Sequence, residues 1–573
     1  MGVLNDNILI GASAAGEYEI EQSLRFEESS GSNLERTPAA DSNRRTWTFS
    51  AWCKLGNLDA RKVIFGARKS DTNPSYDYTS LYLDSDGTLR LFARVNNGSD
   101  GYYITDALFR DPSAWYHIVA AMDTTQSTSS NRFKLYVNGE VQSFSTATIP
   151  SQNYDTWINN NFKHFIGSNP AYDNSTNHMY DGYLAEINFI DGQALTPDNF
   201  GETGTYGEWK PIEYAGTYGT NGFYLKFENA SSLGNDSAGS NNWTPNNLAA
   251  TDQMLDSPTN NFCTMNPLRA LGAVAYSEGN CWSGLPAGDN NNGAVGTFAP
   301  SSGKWYWEAT STHTPTSFGI ADSAAAQSIL KYSGVGMTNY YLHTGIKWVS
   351  GSNSNYGASG SAGDIIGTAL DMDNRTIQFF KNGSSLGAAF TIAAGANMAP
   401  ACFGANVNNV KTVRWNFGAD SSFAATKTAQ GNPDSNDIGD FYYQPPSGFL
   451  SLCSANLPSV DVTPSEHFNT VLYTGTGADK TVSGVGFQPD WVWFKRRNGT
   501  KNHGLFDSIR GATKKLESNT TDAEETVAET LKSFNSDGYV IGNDSVVNTN
   551  NDTYVAWNWK AGGSASSNSN GTI

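Results

Sequence analysis

Residues 363–383 read GDIIGTALDMDNRTIQFFKNG, and this stretch decides the fold class of the region around it. Ile365, Ile366, Ala369 and Leu370 make one apolar run. Asp373-Asn374-Arg375 breaks it, and Thr376, Ile377, Phe379 and Phe380 resume in β-branched and aromatic residues. Asn382-Gly383 tolerates the positive φ values that a tight hairpin turn requires. The segment predicts two antiparallel strands between tight turns.

The flanks extend this pattern. Upstream stand Gly303-Lys304-Trp305-Tyr306-Trp307-Glu308 and Phe318-Gly319-Ile320-Ala321; downstream stand Ala399-Pro400-Ala401-Cys402-Phe403-Gly404 and Val413-Arg414-Trp415-Asn416-Phe417-Gly418. In this order the blocks resemble a SPRY-type β-sandwich over residues 269–420. The resemblance implies a module that binds rather than catalyses, with its ligand surface on loops at one end of the sandwich. Tyr332, Tyr340, Tyr341 and Trp348 are the contact candidates there.

Composition sets the wider frame. A chain of 573 residues has room for roughly three to five domains. Hydrophobic residues make up only 38%, but 15 Trp, 29 Phe and 27 Tyr supply large burial per side chain. With 57 Gly and abundant Asn, Ser and Thr, the chain suits many short strands joined by tight turns. A formal charge of −19 argues against a nucleic-acid partner, whose affinity rests on Lys and Arg. The five cysteines are scattered without a CxxC pair, so they read as small buried hydrophobes in a reducing cell. No apolar run reaches the ~18 residues of a membrane span, and the N-terminus lacks the basic region of a signal peptide. Synthesis in a cytoplasm and release without secretion or membrane insertion are expected.

In chain order, residues 1–20 are an apolar-and-small leader, read as an attachment arm that orders on docking, with a disordered terminus as the alternative. From residue 21 the pattern is β: Thr46-Trp47-Thr48-Phe49-Ser50-Ala51-Trp52 has period two with both faces filled, and Asp86-Gly87 and Asn138-Gly139 mark hairpins. The pieces FSAW, WYHIVA, LYVNG and YDGYLAEINFIDGQAL resemble a laminin-G-like (concanavalin-A-like) jelly roll over residues 21–205. Residues 206–268 read as a connector packed on its neighbours, because isolated Trp and Phe are rare in solvated tethers. It looks like the joint found between such modules in virion proteins of marine tailed phages. Residues 421–465 are a second, proline-bearing connector.

A third module spans residues 466–563. Trp491-Val492-Trp493-Phe494 and Tyr554-Val555-Ala556-Trp557-Asn558-Trp559 predict strands. Thr521 and the acids after it predict a short helix running to Phe534, with a hydroxyl cap and acids in its first turn. This module, ending in WKAGG, resembles one that recurs in phage tail-fibre and related virion proteins. Residues 564–573 look like a Ser/Asn-rich linker from which a natural chain would continue.

Three kinds of site need weighing. Concanavalin-A-like sandwiches include glycosidases with two carboxylates on one strand face, about 5 Å apart in retaining enzymes. The nearest match is Glu186, Asn188 and Asp191, where the middle acid is an amide and strict alternation puts Asp191 on the opposite face; solvated strand acids are the better reading. No HxH, HExxH, GxSxG or P-loop pattern occurs, so the chain is read as having no catalytic residues and no required cofactor. Calcium is the cofactor that the laminin-G resemblance raises, with Asp84, Asp86 and Asp181 as its carboxylates, although turn aspartates need no metal to explain them. The pairs Trp305/Trp307, Trp491/Trp493 and Trp557/Trp559 each share a strand face; exposed they would stack on sugars, buried they fill cores, and core is the default.

The expected architecture is therefore all-β and multidomain: tandem β-sandwiches and a C-terminal β-rich module with one short helix. The resemblances imply a tail fibre or other virion appendage of a tailed phage of a marine bacterium. It would dock on other virion proteins through its N-terminal region, adhere to a host-surface glycan or receptor, and assemble as a homotrimer. A polysaccharide depolymerase and a purely architectural capsid-fibre, collar or nozzle component are the alternatives.

Overall fold

The computed structural model describes residues 18–69, 77–94, 101–168, 178–287, 292–314, 316–331, 333–404, 410–458 and 463–561. The leader expected to act as an arm, apart from residues 18–20, and the linker at residues 564–573 lie outside them. The chain is all-β and forms two compact units: residues 1–203 with 209–459, and residues 460–573 with the short stretch 204–208. Among the described residues no helix is long and apolar enough to cross a membrane.

The first unit opens with a sandwich of two eight-stranded sheets. One is centred on Thr46–Leu55, flanked by Trp115–Asp123 and Gly182–Asp191; the other runs through Tyr78–Leu83, Lys62–Arg68 and His164–Ile166. Alternation along Thr46–Leu55 sends Trp47, Phe49, Ala51 and Cys53 into the space between the sheets, where Phe49 stacks on Phe65 at 4.6 Å. Residues 206–268 are woven into this sandwich. Phe223–Leu225 pairs with Gly182–Asp191, Thr244–Asn246 with Asn33–Arg36, and Gln253–Met254 with Ser23–Phe26.

The second sandwich carries the hairpin read first in the sequence. Ile365–Asp371 pairs antiparallel with Thr376–Lys381, and the turns use positive φ at Arg375, Asn382 and Gly383. This hairpin joins Lys304–Ser311 and Lys411–Asn416 in a nine-stranded sheet, which faces a seven-stranded sheet built around Thr316–Asp322 and Met398–Gly404. Trp305, Trp307 and Trp415 fill the core between them. Residues after 420 fold back here as well: Leu450–Ser451 pairs parallel with Lys304–Ser311, and Phe441 packs on Tyr306.

Buried charge joins the two sandwiches. The Arg25 guanidinium lies 3.2 Å from Asp252, 3.5 Å from Glu278 and 3.2 Å from Asp420, with only 2% of its side chain exposed. The Lys54 ammonium, wholly buried, donates to Asp256 Oδ2 (2.6 Å), Asn261 Oδ1 (2.7 Å) and the Phe262 carbonyl (2.8 Å). The Tyr183 hydroxyl donates to the Gly279 carbonyl (2.9 Å). All three donors of the Lys54 ammonium are satisfied and the Arg25 guanidinium is surrounded by carboxylates, which is what makes a buried charge tolerable.

In the second unit, Phe468–Thr474, Thr553–Trp559, Trp491–Arg496 and Gly504–Asp507 form a four-stranded sheet; Lys480–Ser483, Gly538–Ile541 and Leu531–Asn535 form a three-stranded one. Val482, Val492, Phe494, Phe506, Tyr539 and Ile541 make the core between them. The helix expected from Thr521 to Phe534 is not there. Glu525–Thr526 instead pairs with Lys514–Lys515, and Leu531–Asn535 with Gly538–Ile541. Strand pairing, ion pairs of Lys515 with Glu525 and Arg510 with Glu524, and burial of Leu531 outweigh a helix propensity that is small per residue.

Candidate functional site

The strand Gly182–Asp191 holds the carboxylates weighed for catalysis. Its pairing with Thr46–Leu55 runs Ala185 opposite Trp52 and then Asn188 opposite Ser50, so one extra residue is accommodated between them. Glu186 sits in this bulge with φ of 51°. The extra residue turns Ile187 and Phe189 onto the core face with Leu184, leaving Glu186 and Asn188 outside the sandwich core. The sequence suggested a solvated strand acid at Glu186, and the structure corrects this. Glu186 is buried, and its Oε1 accepts from the Tyr18 hydroxyl (2.7 Å) and the Tyr224 hydroxyl (2.5 Å). Burial pushes its carboxyl up to about 7, against the opposing pull of both hydroxyls and of Lys226.

Asn188 Oδ1 accepts from the Tyr218 hydroxyl (2.7 Å). Asp191 is also buried, and holds Ser42 Oγ (2.5 Å), Asn159 Nδ2 (2.9 Å) and the Asn221 amide (2.9 Å). These groups brace loops against the strand, and Glu186 has no second carboxylate on its own face of this strand.

A serine–histidine contact, invisible in the sequence, lies on the neighbouring strands. His117 Nε2 is 2.8 Å from Ser50 Oγ, and Trp209 Nε1 donates to His117 Nδ1 (2.9 Å). Because Nδ1 accepts, the ring proton of neutral His117 is on Nε2 and points at the serine. That is the reverse of the arrangement that would withdraw a serine proton. Burial holds the imidazole neutral, down to about 3.

The calcium candidates do not form a cation site. Asp84 lies 2.8 Å from Arg90 and 3.5 Å from Arg61; Asp86 lies 2.5 Å from Arg90 and accepts from Thr88. Arginines stand where a metal would have to be. Asp181 is buried, its Oδ2 accepting from the Asn57 amide (3.1 Å), while its Oδ1 has no hydrogen-bond partner. Burial, with Glu27 nearby, raises its pKa well above the carboxylate range. Among the described residues no cluster of three or more His, Cys, Asp or Glu could hold a metal ion.

In the second sandwich, the three described contact candidates, Tyr340, Tyr341 and Trp348, fall on strands rather than loops. Tyr340 belongs to the core: it is fully buried, packs near Phe379 and donates to the Ala358 carbonyl (2.5 Å). Tyr341 and Trp348 lie half-buried on the opposite face of the meander Met337–Tyr341, Ile346–Val349 and Ser352–Asn355. Tyr332 lies outside the described residues. On the facing sheet, the Glu308 carboxylate is a brace, accepting from the Tyr442 and Tyr443 amides (both 2.8 Å) and pushed up to about 7 by burial.

The tryptophan pairs divide. Trp305 and Trp307 are core, but Trp491, Trp493, Trp557 and Trp559 are half-buried on the outer face of the four-stranded sheet. Register lines them up in rows: Phe468, Trp559 and Trp491, then Thr470, Trp557 and Trp493. Trp559 stacks on Trp491 at 4.4 Å, Trp557 meets Trp493 edge-to-face at 5.6 Å, and Trp493 Nε1 donates to His503 Nδ1 (2.7 Å). The rings cover one another's faces while Phe468 and Leu472 stay exposed beside them. Val492, Phe494 and Phe506 already supply this sheet's core side, and that signal separates these pairs from Trp305 and Trp307.

Three family models match parts of the chain. The concanavalin A-like lectin/glucanases superfamily matches residues 29–199, the SPRY domain residues 304–420, and a domain of unknown function residues 463–573. No curated protein matches. Among solved structures, the SPRY domain of human HERC1 is 20% identical, with 26% of this chain and 96% of that one covered and a TM-score of 0.24. A native heptameric SAP-like pentraxin from Limulus polyphemus is 19% identical, with 33% and 76% covered and a TM-score of 0.23. The chain thus carries a concanavalin-A-like and a SPRY domain, modules that suggest binding or adhesion.

Proposed function

We propose that this chain is an adhesive structural protein of a tailed phage, a tail fibre that docks on the particle by its N-terminal part and grips a host-surface glycan or protein. The observation that carries the adhesive reading is the half-exposed aromatic face of the C-terminal unit, Trp491, Trp493, Trp557 and Trp559 with Phe468. Aromatic side chains combine large contact area with a polar handle, and are enriched where proteins recognise partners. The lectin-type and SPRY domains favour the same class of function. The phage assignment rests on the likeness of the C-terminal module, and so does the homotrimer. In such an assembly, made in the host cytoplasm and carried on the virion, weak contacts gain through multivalency by roughly 10²–10⁴.

The test is binding of the purified chain to intact marine bacteria and to their isolated surface glycans. Retention that falls at least tenfold in Trp557→Ala supports adhesion; no retention on any cell or glycan leaves the architectural alternative. The depolymerase alternative has one residue in its favour, the near-neutral Glu186 carboxyl. Released reducing ends that vanish in Glu186→Gln would establish it in place of simple adhesion.

A further inference from the structure

We infer that a pocket in the first unit, outside every region matched by a family model, binds a neutral sugar residue. It measures ≈ 340 Å³ and lies between residues 230–234 and 243–250, with Ser231, Ser232, Leu233, Trp243, Pro245 and Leu248 in its walls. That volume is at the lower end for small-ligand sites, the size of one sugar ring rather than a chain.

The walls are built and held. Between the two segments, the buried Asp236 carboxylate accepts from the amides of Tyr224 (2.9 Å), Ala238 (3.0 Å) and Asn241 (2.9 Å). The Trp243 amide donates to the Gly234 carbonyl (2.7 Å), and a Cβ at Gly234 would run into the Trp243 carbonyl. Phe223 meets the Trp243 ring edge-to-face at 4.9 Å. A pocket fixed in this way needs little ordering when a ligand enters.

Its chemistry selects the ligand class. No charged side chain lines it, so an ionic ligand would lose its hydration without a counter-charge. Serine hydroxyls together with aliphatic Leu, Pro and Ala side chains in the lining suit a molecule that alternates hydroxyl and C–H groups. Trp243 adds a specific demand. Its Nε1 is a donor only, is shielded from solvent, and has no hydrogen-bond partner. Buried polar groups are seldom left unpaired without a reason, and a sugar hydroxyl or acetamide oxygen is an acceptor of the kind this donor lacks.

The test titrates the full chain with glucose, galactose and N-acetylglucosamine, followed by saturation-transfer NMR and calorimetry. Saturable binding of at least one sugar is expected, abolished by Ala249→Trp, which fills the pocket from its exposed rim, and weakened about fivefold or more by Trp243→Phe. Near-ultraviolet circular dichroism checks that both variants fold; Ala249→Trp changes only an exposed position and carries the test if Trp243→Phe does not fold. No saturable binding by any of the three sugars, or binding unchanged in Ala249→Trp, overturns the inference. The pocket does not depend on the adhesive reading: sugar binding without cell retention would leave it standing, and cell retention without sugar binding would remove it alone.

Discussion

The Arg25 guanidinium, on the first strand of the laminin-G-like sandwich, lies 3.2 Å from the Asp420 carboxylate at the end of the SPRY-like sandwich, 395 positions further along the chain. Asp252 and Glu278 close the charge cluster, and together they hold the arginine's proton more tightly than usual. Removing the cation leaves carboxylates facing one another with no counter-charge. Arg25→Met is expected to destabilise the first unit by about 3–5 kcal/mol, against a smaller loss for Asp420→Asn, which leaves two anions in place. Urea unfolding followed by tryptophan fluorescence measures both.

Lys54 and Asp256 make a second buried pair, 2.6 Å apart. Lys54→Met alone should cost about 3–5 kcal/mol, because Asp256 is left charged in a dry site. Adding Asp256→Asn should restore part of that loss. A double-mutant cycle with no coupling between the two changes would show that the pair does not act as a unit.

Four buried groups set opposing pH dependences. Glu186 and Glu308 rise from 4.5 to about 7, so the stability they contribute is full below pH 4.5 and is lost as pH rises through 7. His117 and His164 fall from 6.5 to about 3 and about 4, so their contribution is present above pH 6.5 and lost on acidification. Each group in its window changes stability by about 1.4 kcal/mol per pH unit, and between pH 4.5 and 6.5 the two pairs nearly cancel. In Glu308→Gln one falling slope is gone. The melting temperature of this variant relative to the wild type should therefore climb from pH 5 to pH 7; a constant offset would show that Glu308 stays ionised throughout.

Trp559 touches Trp491 at 4.4 Å and Phe468 at 5.0 Å on a half-exposed face. Trp559→Ala should cost the C-terminal unit about 1–3 kcal/mol, less than a fully buried tryptophan would. Calorimetry should show its transition moving while that of the first unit stays in place.

Gly538 has φ of 142°, and a Cβ there would run into the Val482 carbonyl on the paired strand. Gly538→Ala should lower the stability of the C-terminal unit by about 2 kcal/mol or more. Had residues 521–534 been a helix, this glycine would lie beyond its end and tolerate alanine, so the measurement separates the two.

Much of the fold was legible because short-range chemistry decides it. The hairpin of residues 365–381 follows from an apolar run, a turn, a β-branched run and Asn382-Gly383, and each feature acts within a few residues. The bulge at Glu186 also left a trace: Leu184 and Ile187 are three residues apart, a break in period two that strict alternation hides. The helix failed for the opposite reason. Its local preference was real but weak, and Lys515, Arg510 and the strand Gly538–Ile541 competed for the same residues.

By itself the sequence determined where strands begin and turn, since pleat and turn chemistry are properties of neighbours along the chain. Only the tertiary structure decided that Trp307 is core while Trp491 faces out, and that Tyr340 is buried while Tyr341 is half-exposed. It alone brought Asp84 against arginines and Arg25 against Asp420. A strand has two equivalent faces until a second sheet covers one, and a charge has no partner until the fold brings one from a distant part of the chain.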